Sequence, residues 1–216
     1  MNKLTRSERA QIIRCLVDGN SIRVTERITG VTKKAITRLL VQIGEVCRQY
    51  QDEHFRDLAC KRLQLDEVWS FCGSKEKNTT PAKKEQGWGD VWTWTAIDAD
   101  TKLIPSWLMG NRDSVCATEF VQDLAARLKN RVQITSDGHR AYLVAIESVF
   151  GADVDYAQLI KIYGASQKED ETRYSPATCI GIETKIITGD PDMDHVSTSY
   201  IERSNLSIRM QVRRFT

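Results

Sequence analysis

The sequence predicts an α/β domain with a mixed sheet, preceded by a small all-α domain. Apolar residues recur at helical spacing over the first part of the chain, up to about residue 50. From Leu63 onward the period changes to strand-like runs rich in Leu, Val, Trp and Phe, and these runs then alternate with helical segments. The 216 residues suit one ordinary domain with a smaller companion, and we place the two at 1–58 and 62–216.

The composition is that of a globular protein, with 41% hydrophobic and 28% charged residues. It excludes a disordered tail, a collagen-like repeat and a coiled coil. No apolar run approaches the roughly 20 residues that span a bilayer, and the first residues lack the apolar stretch of a secretory signal. Six cysteines are scattered without a C-x-x-C pair, which favours free thiols in a reducing cytoplasm. We therefore expect a soluble intracellular protein that does not bind membranes.

Charge is distributed unevenly along the chain. Residues 1–62 carry 13 Lys and Arg against 7 Asp and Glu, a net charge of +6. Residues 63–200 carry a net charge of −7, and residues 201–216 carry +3. A basic beginning and a basic end around an acidic middle suggest a polyanionic partner held at both ends of the fold. The alternative is that the basic segments bind nothing, as is common for small basic domains.

The first domain is predicted to contain three helices with helix-turn-helix character. The first helix covers 5–17 and stops at Asp18-Gly19-Asn20, and the second covers 21–30, with Ser21 as its cap and Gly30 as its end. Thr32 caps a third helix that extends to about residue 50. In such a module the last helix enters the major groove by its first turns, where this chain places Lys33, Lys34, Thr37 and Arg38. A plain three-helix bundle with solvated cations is the alternative.

The second domain is predicted to alternate strands and helices. The first three strands are close enough in sequence to be antiparallel neighbours. The helix at 114–131 has Ser114 as its predicted cap, and a polar loop is expected at 166–176. The predicted strands are 61–73, 91–98, 103–110, 132–138 and 154–164, with a short extended piece at 183–191, and the predicted helices are 114–131, 142–150 and one from Ser199. This order matches the ribonuclease H-like layout, a mixed sheet with flanking helices.

Three carboxylates lie in sequence contexts that suggest a functional site. Asp66 lies inside an apolar strand, where an unpaired carboxylate is costly. Asp137 ends a buried strand, where open α/β sheets place ligands. Glu202 lies in the first turn of the last helix, a position that the helix dipole also favours by itself. The alternatives are a solvent-facing strand carboxylate for Asp66 and an ordinary turn aspartate for Asp137.

Neighbouring polar residues are candidates for supporting roles. Strand alternation turns Glu67 away from Asp66, so we expect it to be structural or to support the site from outside. His139 can contact a phosphate or be an ordinary helix-start histidine. Asn205 and Arg209 share the helical face of Glu202 and can position that glutamate or bind a DNA phosphate.

The segments LDEVWSF, GDVWTWTAIDADTK, ITSDGHRAY and STSYIERSNLSIRMQVRRFT resemble the transposases of the insertion-sequence-one family, bacterial enzymes of the DDE type. The resemblance covers nearly all of the chain from about residue 61, and it implies a ribonuclease H-like core with Asp66, Asp137 and Glu202 as the three acidic residues. It also makes the predicted helix-turn-helix the segment that binds element ends. The zinc finger of some members is not readable here, and family members normally continue past RRFT, so we expect a chain truncated at its C-terminus.

The resemblance implies metal-dependent hydrolysis and strand transfer at DNA ends. Two Mg²⁺ ions, with Mn²⁺ as a substitute, would be held by the three acids, with Asp66 bridging the ions. The implied partners are the terminal inverted repeats, target DNA and at least one further copy of the chain, because transposition brings two ends together. The implied location is the nucleoid of a prokaryotic cytoplasm. The alternative function is a truncated, non-catalytic DNA-binding remnant that represses transposition, and a structure-selective nuclease on the same fold is a third possibility.

Overall fold

The structure is a computed structural model that describes residues 3–164, 178–212 and 215. The polar loop expected at 166–176 lies outside these residues. Within the described part of the chain, no helix is both long enough and apolar enough to cross a membrane.

The chain divides into two compact units. One contains Asp57–Val68 and Val91–Glu202, and the other contains Met1–Arg56, Trp69–Asp90 and Arg203–Thr216. The amino-terminal helices therefore belong to the second of these units, and all three carboxylates singled out above belong to the first. The domain limits 1–58 and 62–216 stay a prediction.

Three helices form at the amino terminus: α1 (Arg6–Val17), α2 (Ile22–Thr29) and α3 (Lys33–His54). A capping box between Thr5 and Glu8 starts α1, and the hydroxyl of Ser21 accepts a hydrogen bond from the Val24 N–H at the start of α2. Gly30 ends α2 with a left-handed φ of 70°, which glycine adopts more readily than residues that carry a Cβ. Their small core consists of Ile12, Ile36 and Leu39.

The predicted limits of these helices agree closely with the structure, except that α3 runs further than expected. It continues past residue 50 to His54, where Arg48 donates hydrogen bonds to Glu45 and Asp52 on the same helix. The Thr32 side chain makes no capping hydrogen bond, although Thr32 is the N-cap residue of α3.

The remaining elements form an α/β fold with a six-stranded mixed sheet. The strands, in chain order, are β1 (Arg62–Cys72), β2 (Gly89–Asp98), β3 (Trp107–Gly110), β4 (Gln133–Ser136), β5 (Asp155–Tyr163) and β6 (Cys179–Thr188). Their order across the sheet is β3-β2-β1-β4-β5-β6. The pairs β1–β4 and β4–β5 are parallel, whereas β2–β3 and β5–β6 are antiparallel. This arrangement is compatible with a ribonuclease H-like fold.

The helices after α3 are α4 (Pro81–Lys84), α5 (Ser114–Ala125), α6 (Arg140–Phe150) and α7 (Ser199–Gln211). Helices α5 and α6 pack on the sheet through a core that includes Leu63, Leu65, Phe120 and Ile146. Parallel strands need crossover connections, and α6 supplies the one between β4 and β5.

Four predictions for this domain need correction. Helix α5 ends at Ala125 and not at 131, because the N–H groups of Arg127 and Leu128 donate to carbonyls three positions back instead of four. The cap of α5 is Asp113, whose carboxylate accepts from the Cys116 N–H, and not Ser114. Strand β3 begins only at Trp107, because Pro105 has no N–H to donate to a ladder. The piece expected at 183–191 is a strand that begins four residues earlier and ends three residues earlier, Cys179–Thr188, and it pairs along β5.

Candidate active site beside the carboxyl end of strand β4

Asp66 and Asp137 are brought together by the register of two parallel strands. Leu65 on β1 lies opposite Ser136, the last residue of β4, so that Asp66 and Asp137 are the next residues in this register. The Asp66 carboxylate accepts from the Glu67 N–H at 2.8 Å, and the Asp137 carboxylate accepts from the His139 N–H at 2.9 Å. Both hydrogen bonds fix the carboxylates locally before any ligand is bound.

The chain turns sharply just after Asp137. A Cβ added at Gly138 would lie 3.1 Å from Cγ1 of Ile160 on β5, so this position favours glycine because of the close packing. His139 then precedes α6 as its N-cap residue. The short Asp-Gly-His segment therefore places one carboxylate and one imidazole beside β1.

Glu67 joins this pair, contrary to the expectation for a residue on the opposite face. Asp66, Glu67 and Asp137 each offer a carboxylate oxygen that lies within 4.8 Å of the other two. The Glu67 side chain is 1% exposed, and its Oε1 has no hydrogen-bond partner among the described residues, with the His139 Nε2 atom 3.5 Å away. The alternation argument fails here because the cluster lies beyond the end of β4, where a long side chain from either face of β1 can reach it.

The environment of Glu67 favours its neutral form. Burial, together with the nearby negative charge of Asp137, raises the pKa of Glu67 to about 8. Burial also lowers the pKa of His139, and Arg112 adds to this effect. The pKa of Tyr142 is raised well above its ordinary value by complete burial and by the charge of Glu67. A cation bound among these carboxylates would oppose the shift of Glu67, because it would favour the ionised carboxylate.

Arg112 supplies positive charge beside the cluster. Its Nη2 atom lies 3.7 Å from Glu67 Oε2 and 3.9 Å from Asp137 Oδ2. Its guanidinium stacks over the Trp92 ring, with 4.8 Å between Cζ and the ring centroid. Both distances are too long for hydrogen bonds, so the contact is an electrostatic one between the guanidinium and the two carboxylates.

Glu202 lines the same cavity but is held by another cation. Lys161 on β5 donates to both carboxylate oxygens, at 2.5 and 2.6 Å, and the Thr198 hydroxyl donates to Oε1 at 2.5 Å. The hydrogen bond with Glu202 raises the pKa of Lys161. Glu202 is not among the carboxylates that lie within 4.8 Å of one another.

The first turn of α7 is anchored on β1. The buried side chain of Gln64 accepts hydrogen bonds from the N–H groups of Tyr200 and Ile201, at 2.9 and 3.0 Å. These N–H groups have no partner within a helix, because they belong to its first turn. Gln64 therefore caps α7, whereas the Thr198 hydroxyl donates a hydrogen bond to the Glu202 carboxylate.

A cavity of about 600 Å³ joins these groups. The three predicted carboxylates, Asp66, Asp137 and Glu202, all line it, together with Arg112, His139, Arg140 and Lys161. The sequence pattern did not single out Arg112 or Lys161. A lone lysine inside the apolar strand β5 was the one available signal for Lys161, and Arg112 lies in a turn that has no distinctive pattern.

The residues expected to contact DNA differ in exposure. Lys33, Lys34, Thr37 and Arg38 are all exposed on the first two turns of α3. In contrast, Asn205 is 7% exposed, and a guanidinium N–H of the half-buried Arg209 donates to the Phe215 carbonyl at 3.4 Å. The burial of Asn205 does not favour a direct contact with DNA.

The donor set of the acidic cluster fits a hard divalent cation. All the donors are carboxylate oxygens, which Mg²⁺ and Mn²⁺ prefer. The buried Glu67 Oε1 without a hydrogen-bond partner is the kind of atom that a cation would satisfy. Asp66, Glu67 and Asp137 are the residues that could hold such an ion, and Glu202 could join them only by exchanging Lys161 for the metal.

Neither a model of any protein family nor any curated protein matches the chain. Among solved structures, the chain is similar to a piggyBac transposase in a synaptic complex with hairpin DNA, with 12% sequence identity and a TM-score of 0.38. The match covers 82% of this chain and 48% of that chain, so this chain spans about half the length of the transposase.

Proposed function

We propose that the chain is a metal-dependent DNA transposase of the DDE type. In this proposal it binds element ends, hydrolyses a phosphodiester there and joins the freed 3′-hydroxyl to target DNA. The observation that carries the proposal is the convergence of Asp66, Asp137 and Glu202 on one cavity beside the carboxyl end of β4. The sequence motifs that resemble the insertion-sequence-one family support it, because they contain the same three residues.

The residues of the site would have two kinds of role, metal binding and the orientation of a phosphate group. Asp66, Asp137 and the deprotonated form of Glu67 would hold Mg²⁺ or Mn²⁺. When bound, such ions neutralise charge on the attacking and leaving oxygens of a phosphodiester and make bound water more acidic. Arg112 would orient a phosphate oxygen, since its guanidinium faces the cluster without a short hydrogen bond to it. None of these residues needs to form a covalent bond with DNA.

Lys161 has two roles in this proposal. Without metal it neutralises Glu202, which prevents three carboxylates from repelling one another across the cavity. Glu202 can approach Asp66 and Asp137 once Lys161 releases it, and the released ammonium group is then available for a DNA phosphate. The exposed cations of α3, namely Lys33, Lys34 and Arg38, would bind the element end, and we propose that the active assembly is at least a dimer.

The decisive experiment is a nicking and joining assay with the purified chain. The substrate is a duplex that carries one end of the chain's own genomic element. Cleavage is expected in Mg²⁺ or Mn²⁺ and not in Ca²⁺ or a chelator, and Asp66→Asn and Asp137→Asn should each lower its rate at least 100-fold. Asp100→Asn, a change in an exposed turn next to β2, is the matched control and should leave the rate unchanged. Cleavage retained by Asp66→Asn contradicts the assignment.

The same assay separates the alternative functions. A non-catalytic remnant that represses transposition would bind the element end in every metal and cleave it in none. A nuclease on the same fold would cut branched DNA and would not join a 3′-hydroxyl to a second duplex. The exposed Lys and Arg at the start of α3 favour DNA binding in either case, so cleavage and joining must be measured separately from binding.

A further inference from the structure

Strand β6 lies at one edge of the sheet. It is the last strand in the order across the sheet, and among the described residues it pairs along one of its two edges, with β5. Nearly every residue of β6 is exposed, on both of its faces. An open edge of ten residues presents a row of backbone N–H and C=O groups that can pair with another strand.

The exposed side chains of β6 are unusually apolar for an unpaired edge. Ile180, Ile182 and Ile186 are 67%, 62% and 53% exposed, and Ile187 is 41% exposed. Ile182 and Ile186 lie on one face, on either side of Thr184, because side chains alternate along a strand. Residues 181–186 pair with β5 without irregularity, so this part of the edge is straight enough to accept another strand.

The two charged residues of the strand restrict which strand can pair with it. Glu183 and Lys185 share the opposite face from Ile182, and their charged groups lie 3.4 Å apart, about half exposed. A second copy of β6 related by a two-fold axis perpendicular to the sheet keeps each side chain on its own face. The axis must then lie at a residue and not between two residues. Only in that case does every side chain lie opposite one on the same face of the sheet.

Only an axis through Thr184 pairs both charges favourably. Glu183 then lies opposite Lys185 of the other copy, and Lys185 lies opposite its Glu183. On the other face, Ile182 lies opposite Ile186 of the other copy, and Thr184 lies opposite Thr184 of the other copy. An axis through Glu183 or Lys185 instead places like charges directly opposite each other. The strand is therefore complementary to itself in both charge and apolar contact.

We propose that two copies of the chain pair antiparallel along β6, with the two-fold axis at Thr184, and so join their sheets into one. The partner is a second copy because the sequence Ile-Glu-Thr-Lys-Ile is self-complementary in this register. This proposal does not rest on the catalytic assignment, since none of the residues that hold the contact belongs to the acidic cluster. A contact of this kind is small, so the dimer should dissociate reversibly.

The test is the oligomeric state of the full chain by sedimentation velocity, from about 1 to about 100 μM. A reversible monomer–dimer equilibrium is expected for the natural sequence. Glu183→Lys and Lys185→Glu should each weaken the dimer at least tenfold, because each places like charges opposite one another. The double variant that carries both changes should dimerise like the natural sequence. Far-UV circular dichroism verifies that every variant is folded.

Mixing the two single variants gives the sharpest readout. Each alone should be mainly monomeric, whereas an equimolar mixture should form a heterodimer, since the Lys-Lys strand then faces the Glu-Glu strand. The Glu183–Lys185 pair within one strand cannot explain the restored dimer, because neither variant has that pair. A chain that stays monomeric at the highest concentration overturns the proposal, and so does a dimer that neither single variant weakens or a mixture that fails to restore the dimer.

A disulfide test fixes the register independently. In a background with Cys47, Cys72 and Cys179 changed to Ser, Thr184→Cys should form an intermolecular disulfide under mild oxidation. Opposite residues in antiparallel strands have Cα atoms about 4.5–5.5 Å apart, which suits a disulfide. Glu183→Cys is the matched control, because its own copy lies diagonally at about 7–8 Å and should not form a disulfide. Equal cross-linking of both variants would rule out the Thr184 axis.

Discussion

The buried carboxyl of Glu67 connects the chemistry of the acidic cluster to the stability of the fold. Burial and the charge of Asp137 raise its pKa from 4.5 in the unfolded chain to about 8. The folded state therefore binds this proton more tightly than the unfolded state does. This contribution to stability is complete below about pH 4.5 and is lost as pH rises through about 8, at up to about 1.4 kcal/mol per pH unit.

Glu67→Gln should accordingly remove this pH dependence. Glutamine keeps the shape of the protonated carboxyl and cannot ionise. In a chelating buffer, the variant and the natural chain should unfold at similar urea concentrations at pH 5, and the variant should be the more stable of the two at pH 8. Equal stability at pH 8 would show that the carboxyl is not buried as described. Added Mg²⁺ should narrow the difference by stabilising the natural chain more than the variant, if Glu67 is a ligand.

At the scale of secondary structure elements, the start of α7 depends on one buried side chain of β1. Gln64→Leu would leave the N–H groups of Tyr200 and Ile201 without an acceptor, and each buried donor without a partner costs about 1–3 kcal/mol. We expect a lower urea midpoint and also weaker Mg²⁺ binding, because Glu202 lies in the same turn.

Gln133→Leu is the matched control for this change. Gln133 is similarly buried, and its amide both donates to and accepts from the backbone of Asp192, far from the acidic cluster. It should lower stability to a similar extent and leave Mg²⁺ affinity, measured by calorimetry, unchanged. A loss of metal affinity in both variants would indicate general unfolding instead of a specific role for α7.

The elements that the sequence predicted well are those with a strong local signal. The periodic apolar residues of α1–α3 and the Gly30 stop gave helix limits close to those observed, and β1 and β5 were equally clear. The signals failed where the outcome depends on distant contacts. Glu67 reaches the cluster only because β4 ends beside it, and the ion pair of Glu202 with Lys161 joins residues 41 positions apart. No local pattern could have predicted either contact.

At the scale of the whole chain, the partition of charge gives a prediction about DNA that is independent of catalysis. The basic residues are concentrated at the two ends of the sequence, and four of the polar residues at the start of α3 are exposed. Cations that contact phosphates release counterions, so log Kobs falls with log salt concentration by about 0.9 per phosphate neutralised. The slope therefore measures the number of phosphate contacts, and the nucleotide sequence of the element end need not be known.

Lys34→Gln combined with Arg38→Gln should reduce the magnitude of this slope by about 1.8, and it should weaken binding to any 40-bp duplex roughly uniformly if both residues contact phosphates. Fluorescence anisotropy from about 50 to about 200 mM salt measures both quantities. Arg48→Gln is the control on the same helix, because Glu45 and Asp52 already neutralise that guanidinium. An unchanged slope in the double variant would place the DNA contact elsewhere on the chain. A loss of affinity confined to the element's own ends would instead show that Lys34 or Arg38 reads bases, since phosphate contacts do not distinguish sequences.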